Sequence, residues 1–176
     1  MKKKVFLPTL MFFLLPGFNS PAQSADPEHV MNTDEKQVLD TVLSMTWAFE
    51  NRDIEGVLSH YDHDAVIAFT PGTATSGAGE IREQFLQFFA INPAFDYGGH
   101  KVFVTEDTAL HIAPWTMQGT APDGIQINEK GLSVSVLKRM NGNVWRIIVD
   151  DPYGGYWHNN PGFLRDDVIN HVILFL

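Results

Sequence analysis
Two adjacent carboxylates, Asp150 and Asp151, close a β-like run over 143–151 that leads into Pro152 and Tyr153. Alternate residues of a strand point to the same side. Burying the side that carries Trp145, Ile147 and Val149 turns Arg146 and Asp150 to water and brings Asp151 to the inner rim. A carboxyl group among apolar neighbours gives up its proton less readily, which suits it to act as a general acid or base. The plainer reading is a strand end solvated by two exposed acids. His111, in the run 108–118, shares a side with Ala113, Trp115 and Met117. If that side is concave, His111 is the best proton carrier in the chain, because imidazole titrates near neutral pH. If not, it is a structural histidine of the sheet. Asp151 and His111 are therefore the candidate catalytic pair. Trp115, Tyr153, Phe85, Phe89 and Val149 are the candidate ligand contacts, an apolar lining for a flat organic molecule.

Other chemistries fit less well. His60 and His63, with Asp62 and Asp64, have the residue types of a zinc or nickel site. His60 ends a helix and His63 lies in a turn, however, so their nitrogens need not converge, and no metal is expected. Gly72, Gly77 and Gly79 lack the lysine and the spacing of a phosphate loop, and no serine sits in a nucleophile elbow. The absence of cysteine excludes a thiol nucleophile, a cysteine zinc site and a disulfide scaffold. No cofactor is expected. The formal charge of −9 comes without a basic stripe, which argues against nucleic acid as a partner.

The elements that must position these residues fall into two runs. Asn32 and Glu35 read as a helix start, followed by Val38, Val42, Met45 and Phe49 at helical spacing. Asp53 can cap a short second helix over 54–60. Residues 61–64 read as a polar turn, 65–69 as a short strand and 73–79 as a loop. A third helix over 80–89 carries an apolar face of Ile81, Phe85, Phe88 and Phe89. The period then changes to two. Strands are predicted over 100–105, 108–118, 127–140 and 143–151, with Asn141-Gly142 as a tight hairpin turn. Pro114 predicts an edge or a bulge in its strand. Helices followed by a meander of strands predict an α+β fold.

Three segments are expected. Residues 1–25 read as an export signal: Lys2 to Lys4, then an apolar run of about 14 residues with Pro8 and Pro16, then small residues at Ala22, Ser24 and Ala25. That run is shorter than the roughly 20 residues a spanning helix needs. Its removal would take away three lysines and no acid, leaving −12. A periplasmic or secreted protein with no membrane attachment is expected. Residues 26–160 form the folded domain. Residues 161–176 form a tail ending in Val172-Ile173-Leu174-Phe175-Leu176, which calls for burial somewhere.

The order of elements, with four particular stretches, resembles the nuclear-transport-factor-2-like superfamily, which includes SnoaL-like polyketide cyclases and ketosteroid isomerases. The stretches are 48–53 (AFENRD), 57–66 (VLSHYDHDAV), 77–85 (GAGEIREQF) and 141–151 (NGNVWRIIVDD). The resemblance spans roughly residues 34–156. It implies a cone: three amino-terminal helices packed on a strongly curved, mainly antiparallel sheet with a pocket at its open end. Fold analogy alone does not fix function. The isomerases' base aspartate falls at Phe69, their tyrosine near Met45 and their protonated aspartate near Ser135, so steroid-isomerase chemistry is not expected. The resemblance implies a small-molecule ligand, metal-free acid–base chemistry or binding alone, and a homodimer paired through the outer face of the sheet.

Overall fold
The structure is a computed structural model, and it describes residues 29–159. The expected export signal and the tail from 161 onward lie outside the described residues.

Helix α1 (Thr33–Glu50) starts as the sequence predicts. Asn32 accepts the backbone N–H of Glu35, and the Glu35 carboxylate accepts the N–H of Asn32. Its Val38, Val42, Met45 and Phe49 are buried on one face. Asp53 caps α2 (Ile54–Ser59) through the N–H of Gly56. A β-carbon at 56 would lie 2.4 Å from Asp53 Oδ2, so a larger residue there would displace the capping carboxylate. Helix α3 (Ala78–Phe88) runs into a 3-10 turn (Phe89–Ile91) and buries Ile81 and Phe85.

These helices cover the inner face of one mixed, curved, seven-stranded sheet. Its strands are β1 (Tyr61–Thr70), β2 (Thr73–Ser76), β3 (Ala94–Tyr97), β4 (Lys101–Thr105), β5 (Thr108–Thr120), β6 (Gln126–Met140) and β7 (Val144–Asp151). The order is β2-β1-β7-β6-β5-β3, with β4 also on β5, and β1 pairs with β7 in parallel. This is the α+β cone that the order of elements predicts. No described helix is long and apolar enough to cross a membrane.

Two local expectations change. The polar turn at 61–64 is the start of β1, whose register against β7 jumps from Tyr61↔Ile147 to Val66↔Val149. Asp62, His63 and Asp64 occupy the excursion, and Tyr61 and Ala65 on either side of it are buried. Strands β2 and β3, four residues each, were not predicted. Pro114 does not lie on an edge strand but at a bulge-like break in the pairing, where 97–101 face 112–115 with one residue extra. On one side β5 pairs with β4 up to Ile112 and with β3 from Trp115, and Pro114 falls in the gap between them. Its missing N–H therefore breaks no ladder there, while its carbonyl accepts Gly98 N–H at 2.9 Å.

Candidate active site
The side chain that reaches the interior from the end of β7 is Asp150. Opposite β6, Val149 pairs with Val136 but Ile147 pairs with Leu137, leaving Ile148 as an extra residue. This β-bulge resets the alternation. Trp145 and Ile147 point inward as expected, but beyond the bulge the inward position falls on Asp150, which is 7% exposed. Asp151 turns away, and its Oδ1 accepts the N–H of Tyr153 at 2.9 Å. Val149 is 40% exposed on the outer side. The expected inner positions of Asp151 and Val149 are thus both overturned, for one physical reason.

Two hydroxyls converge on Asp150. Tyr61 donates to Oδ2 at 2.7 Å and Ser135 to Oδ1 at 2.8 Å. The Ser135 proton is therefore committed to Asp150, so Ser133 Oγ, 3.3 Å away, must donate to Ser135. All these donors face an acceptor, an arrangement built for the ionised carboxylate. Burial acts the other way and more strongly. It raises the pKa of Asp150 above 3.8, opposed by the Tyr61 and Ser135 hydrogen bonds and reinforced by the charge of Asp151. Burial, aided by the Asp150 charge, pushes the Tyr61 phenol well above its usual 10, so it stays a donor.

Asp150 opens on a cavity of about 90 Å³ between α1, α3 and the inner sheet. Phe49, Phe69, Phe85, Phe88, Phe95 and Trp115 wall it. Phe85 lies 4.9 Å from Phe69 and 5.4 Å from Phe49, both edge to face. Among the described residues, no lysine, arginine or histidine lines the cavity. Its second polar centre is Tyr97, whose hydroxyl is 3.0 Å from Thr46 Oγ1. Thr46 gives its own proton to the carbonyl of Val42 at 3.0 Å, so Tyr97 donates to Thr46. That helical carbonyl can release the threonine proton at low cost. Thr46 can then donate to Tyr97, freeing the phenol to face a ligand. Burial raises the Tyr97 pKa, a Thr46 hydroxyl turned to donate to the phenolate lowers it, and the nearby Asp150 charge raises it further.

Of the expected ligand contacts, Phe85, Trp115 and Tyr153 line the cavity, whereas Phe89 and Val149 do not. Phe89 is packed behind the wall, 5.5 Å from Phe49, because the chain leaves the helical path at this residue and enters the 3-10 turn. His111 is on the inner face and fully buried, but it does not line the cavity or pair with a carboxylate. It sits in the cross-sheet row Val102–His111–Ser135–Asp150, with Ser135 between it and the acid. Its partner is His100, Nε2 to Nδ1 at 3.0 Å. Burial, with His100 adding repulsion, pushes His111 down to about 4. Its Nδ1 is buried without a partner among the described residues. The proton therefore belongs on Nε2, donated to His100, since a buried N–H without an acceptor costs more than a bare lone pair. The expected Asp151–His111 pair is not assembled.

Reasoning from the sequence missed Asp150, Tyr61, Tyr97 and Thr46. The signal for Ser135 was present in the resemblance. Met45, Phe69 and Ser135, the positions aligned with the isomerases' catalytic groups, all line the cavity, and Ser135 touches the acid. His63 lies between Asp62 and Asp64 at 3.0 Å from each, an exposed cluster apart from this cavity.

Solved structures place this fold in a class. A nuclear transport factor 2 (NTF2-like) superfamily protein from Salmonella enterica serovar Typhimurium aligns with 68% of this chain and 89% of its own, at 12% identity and a TM-score of 0.62. A protein from Novosphingobium aromaticivorans, provisionally named as an aromatic ring hydroxylase, aligns with 67% of this chain and 86% of its own, at 25% identity and a TM-score of 0.61. One from Streptomyces avermitilis, provisionally named as a dehydratase of the NTF2-like family, covers 68% and 94% at 20% identity and a TM-score of 0.60. No curated protein matches the chain. The fold is therefore that of the nuclear-transport-factor-2-like cone. Within it, residues 42–147, more than half of the sequence, match the SnoaL-like domain family, and the chain belongs to that family.

Proposed function
We propose that this protein binds a small, neutral, flat organic molecule in the Asp150 cavity and moves a proton on it by metal-free acid–base chemistry, in a reaction of the isomerisation or dehydration type. The observation that carries this reading is a buried carboxylate held by Tyr61 and Ser135, with a raised pKa, facing an aromatic cavity. Such a group is a stronger base than a carboxylate in water and is already desolvated and aimed. Tyr97 is placed to stabilise charge developing on a ligand oxygen once its phenol turns from Thr46. The cavity is well below the roughly 300 Å³ at the lower end of drug-sized pockets. Its occupant is accordingly of about one ring, unless the half-buried Phe69, Phe88 or Tyr153 swings aside.

The test needs no knowledge of the natural substrate. Cyclohexanone in D₂O exchanges the hydrogens beside its carbonyl when a base removes them, and NMR follows the exchange. The intact protein should accelerate it over buffer. Asp150→Asn should lose roughly a hundredfold or more of that acceleration, and Asp151→Asn should keep it. Equal activity of the wild type and Asp150→Asn would overturn the proposal. It would leave the rival reading, a binding or scaffold module without catalysis.

Export and pairing belong to the same proposal. Amino-terminal sequencing of exported protein should begin between Gln23 and Asp26. Pairing is supported by the outer face, where Phe103–Leu110–Val136–Val149 and Lys101–Ile112–Val134–Asp151 form adjacent rows. A two-fold axis through the second row would set Lys101 of each copy over Asp151 of the other. Light scattering at micromolar concentration should report a dimer, and a clean monomer would count against it.

A further inference from the structure
Two serines join Asp150 to a second inward position. Ser133 and Ser135 lie on the same side of β6, and Ser135 pairs with Asp150 across β7. With Asp150 ionised the hydroxyl protons run one way, from Ser133 to Ser135 over 3.3 Å and from Ser135 to Asp150 Oδ1 over 2.8 Å. Both serines line the cavity, and Ser133 is the more open, 8% exposed against 2%. In this state Ser133 shows the cavity only lone pairs, because its proton is committed to Ser135.

A proton on Asp150 reverses the chain. The carboxyl hydrogen must meet one of the two hydroxyls that donate to it, Tyr61 or Ser135. A phenol is the stronger donor and the poorer acceptor, so Tyr61 keeps donating to Oδ2 and Ser135 gives way. Ser135 then accepts from Oδ1 and turns its own proton to Ser133. That leaves the Ser133 hydrogen without an acceptor among the described residues. Its hydrogen-bond partner is Ser135, and its neighbour across β5 is Ala113. A buried donor without an acceptor is costly, and the cavity is where an acceptor can come from.

We propose that Ser133 is the ligand-facing end of a proton relay: the proton that Asp150 takes from a ligand carbon passes through Ser135 and leaves from Ser133 to a ligand oxygen. Oxygen lone pairs accept hydrogen bonds and saturated carbon does not, so the relay ends on oxygen. The substrate class is accordingly a neutral, one-ring ketone with a hydroxyl on the β-carbon. Asp150 removes a hydrogen beside the carbonyl. The C–H electron pair becomes the new C=C bond, the C–O bond breaks, and its pair stays with the oxygen, which takes the Ser133 proton. Ser133 recovers a proton from Ser135, and Ser135 from Asp150. An enone and water leave, every hydroxyl points again as it did at the start, and no oxidant, reductant or co-reactant enters. Turnover by this route rests on Asp150 acting as the base; the reversal of the hydroxyl chain does not.

Asp150→Asn separates the two. Its amide hydrogens stand where the carboxyl hydrogen would and hold the chain reversed without a base. At pH 8, cyclohexanone is titrated against the methyl resonances of Ile67 and Met117, both in the cavity lining. Adding Ser133→Ala to Asp150→Asn should weaken its binding roughly three- to tenfold, the worth of one neutral hydrogen bond. In the ionised wild type, where the Ser133 proton is already committed, Ser133→Ala should change the same affinity less than about twofold. Equal effects of Ser133→Ala in both backgrounds, or none in Asp150→Asn, would overturn the proposal. Turnover is read with 3-hydroxycyclohexanone, by the ultraviolet absorption of the conjugated enone it yields. Ser133→Ala should lose roughly a hundredfold of the wild-type rate, and Ser133→Thr, which keeps the hydroxyl, should retain most of it. Undiminished dehydration by Ser133→Ala would overturn the relay. So would a wild type that exchanges the hydrogens of cyclohexanone but forms no enone. A wild type that does neither would overturn the base reading and the turnover step with it, while the binding comparison judges the hydroxyl chain by itself.

Discussion

Replacing Asp150 by asparagine removes the charge and keeps the shape, and its effect on stability should depend on pH in one direction. In the unfolded chain this carboxyl ionises near 3.8, and in the folded protein burial raises that value. As pH climbs past 3.8 the unfolded state releases the proton first. The wild type therefore loses stability from this group until the folded value is passed, after which the loss is constant. The slope cannot exceed that of one proton, about 1.4 kcal/mol per pH unit. Asp150→Asn lacks this component. At pH 3.5 the wild-type carboxyl is itself mostly protonated and, like the amide, sets a hydrogen against one of the two hydroxyls, so the two proteins should lie within about 1 kcal/mol of each other. The variant's stability relative to wild type should then rise with pH and level off. Urea unfolding of both proteins between pH 3.5 and 8, followed by tryptophan fluorescence, gives the difference directly. A difference that falls with rising pH would mean that the Tyr61 and Ser135 hydrogen bonds outweigh burial. Asp150 would then be a depressed-pKa structural anchor and a poor base.

Ser135→Ala and Tyr61→Phe each remove a hydrogen bond to a buried carboxylate and should each cost about 1.5–3 kcal/mol in urea unfolding at pH 7; costs under about 0.5 kcal/mol would deny that these donors hold the charge. Phe49 touches Phe85, Phe88, Phe89 and Phe95, so Phe49→Ala should cost about 3–5 kcal/mol, and a tolerated substitution would contradict the packing. His111 has a folded pKa of about 4, below its ordinary 6.5. Its stabilising contribution is therefore complete above 6.5 and lost as pH falls toward 4, by up to about 1.4 kcal/mol per pH unit. His111→Leu should flatten that part of the pH–stability profile, and an unchanged profile would refute the assignment.

The fold was legible because its signals are local and repeated. The Asn32–Glu35 box and the Val38–Val42–Met45–Phe49 stripe each name their element without help from the rest of the chain, and Asn141-Gly142 marks the hairpin, although the turn takes in Asn143 and the positive φ values fall on Gly142 and Asn143. The burial of Ser133 and Ser135, with Val134 and Val136 on the other side, also follows from strict alternation. The site was less legible because it depends on where alternation fails. One extra residue, Ile148, exchanges the roles of Asp150 and Asp151, and a run of Ile, Ile and Val contains nothing to mark it. The excursion at 62–64 is equally silent, and nothing in the sequence alone pairs Tyr61 with an acid 89 positions away. His111 shares its face with Ala113, Trp115 and Met117 as the alternation predicts, but which face is inner was left open and its partner comes from the loop before β4, a contact that no periodicity encodes.

The central claim is that the cavity around Asp150 takes neutral flat molecules beside a buried negative charge. Phenol and benzoate share a ring and differ in charge, so their binding at pH 8 tests it most directly, with the methyl resonances of Met45, Ile67 and Met117 as reporters inside the cavity. Phenol should shift these signals and saturate. Benzoate at the same concentrations should leave them unmoved in the wild type and begin to shift them in Asp150→Asn. Benzoate bound as well as phenol by the wild type, or shifts by both confined to the outer face of the sheet, would contradict the account.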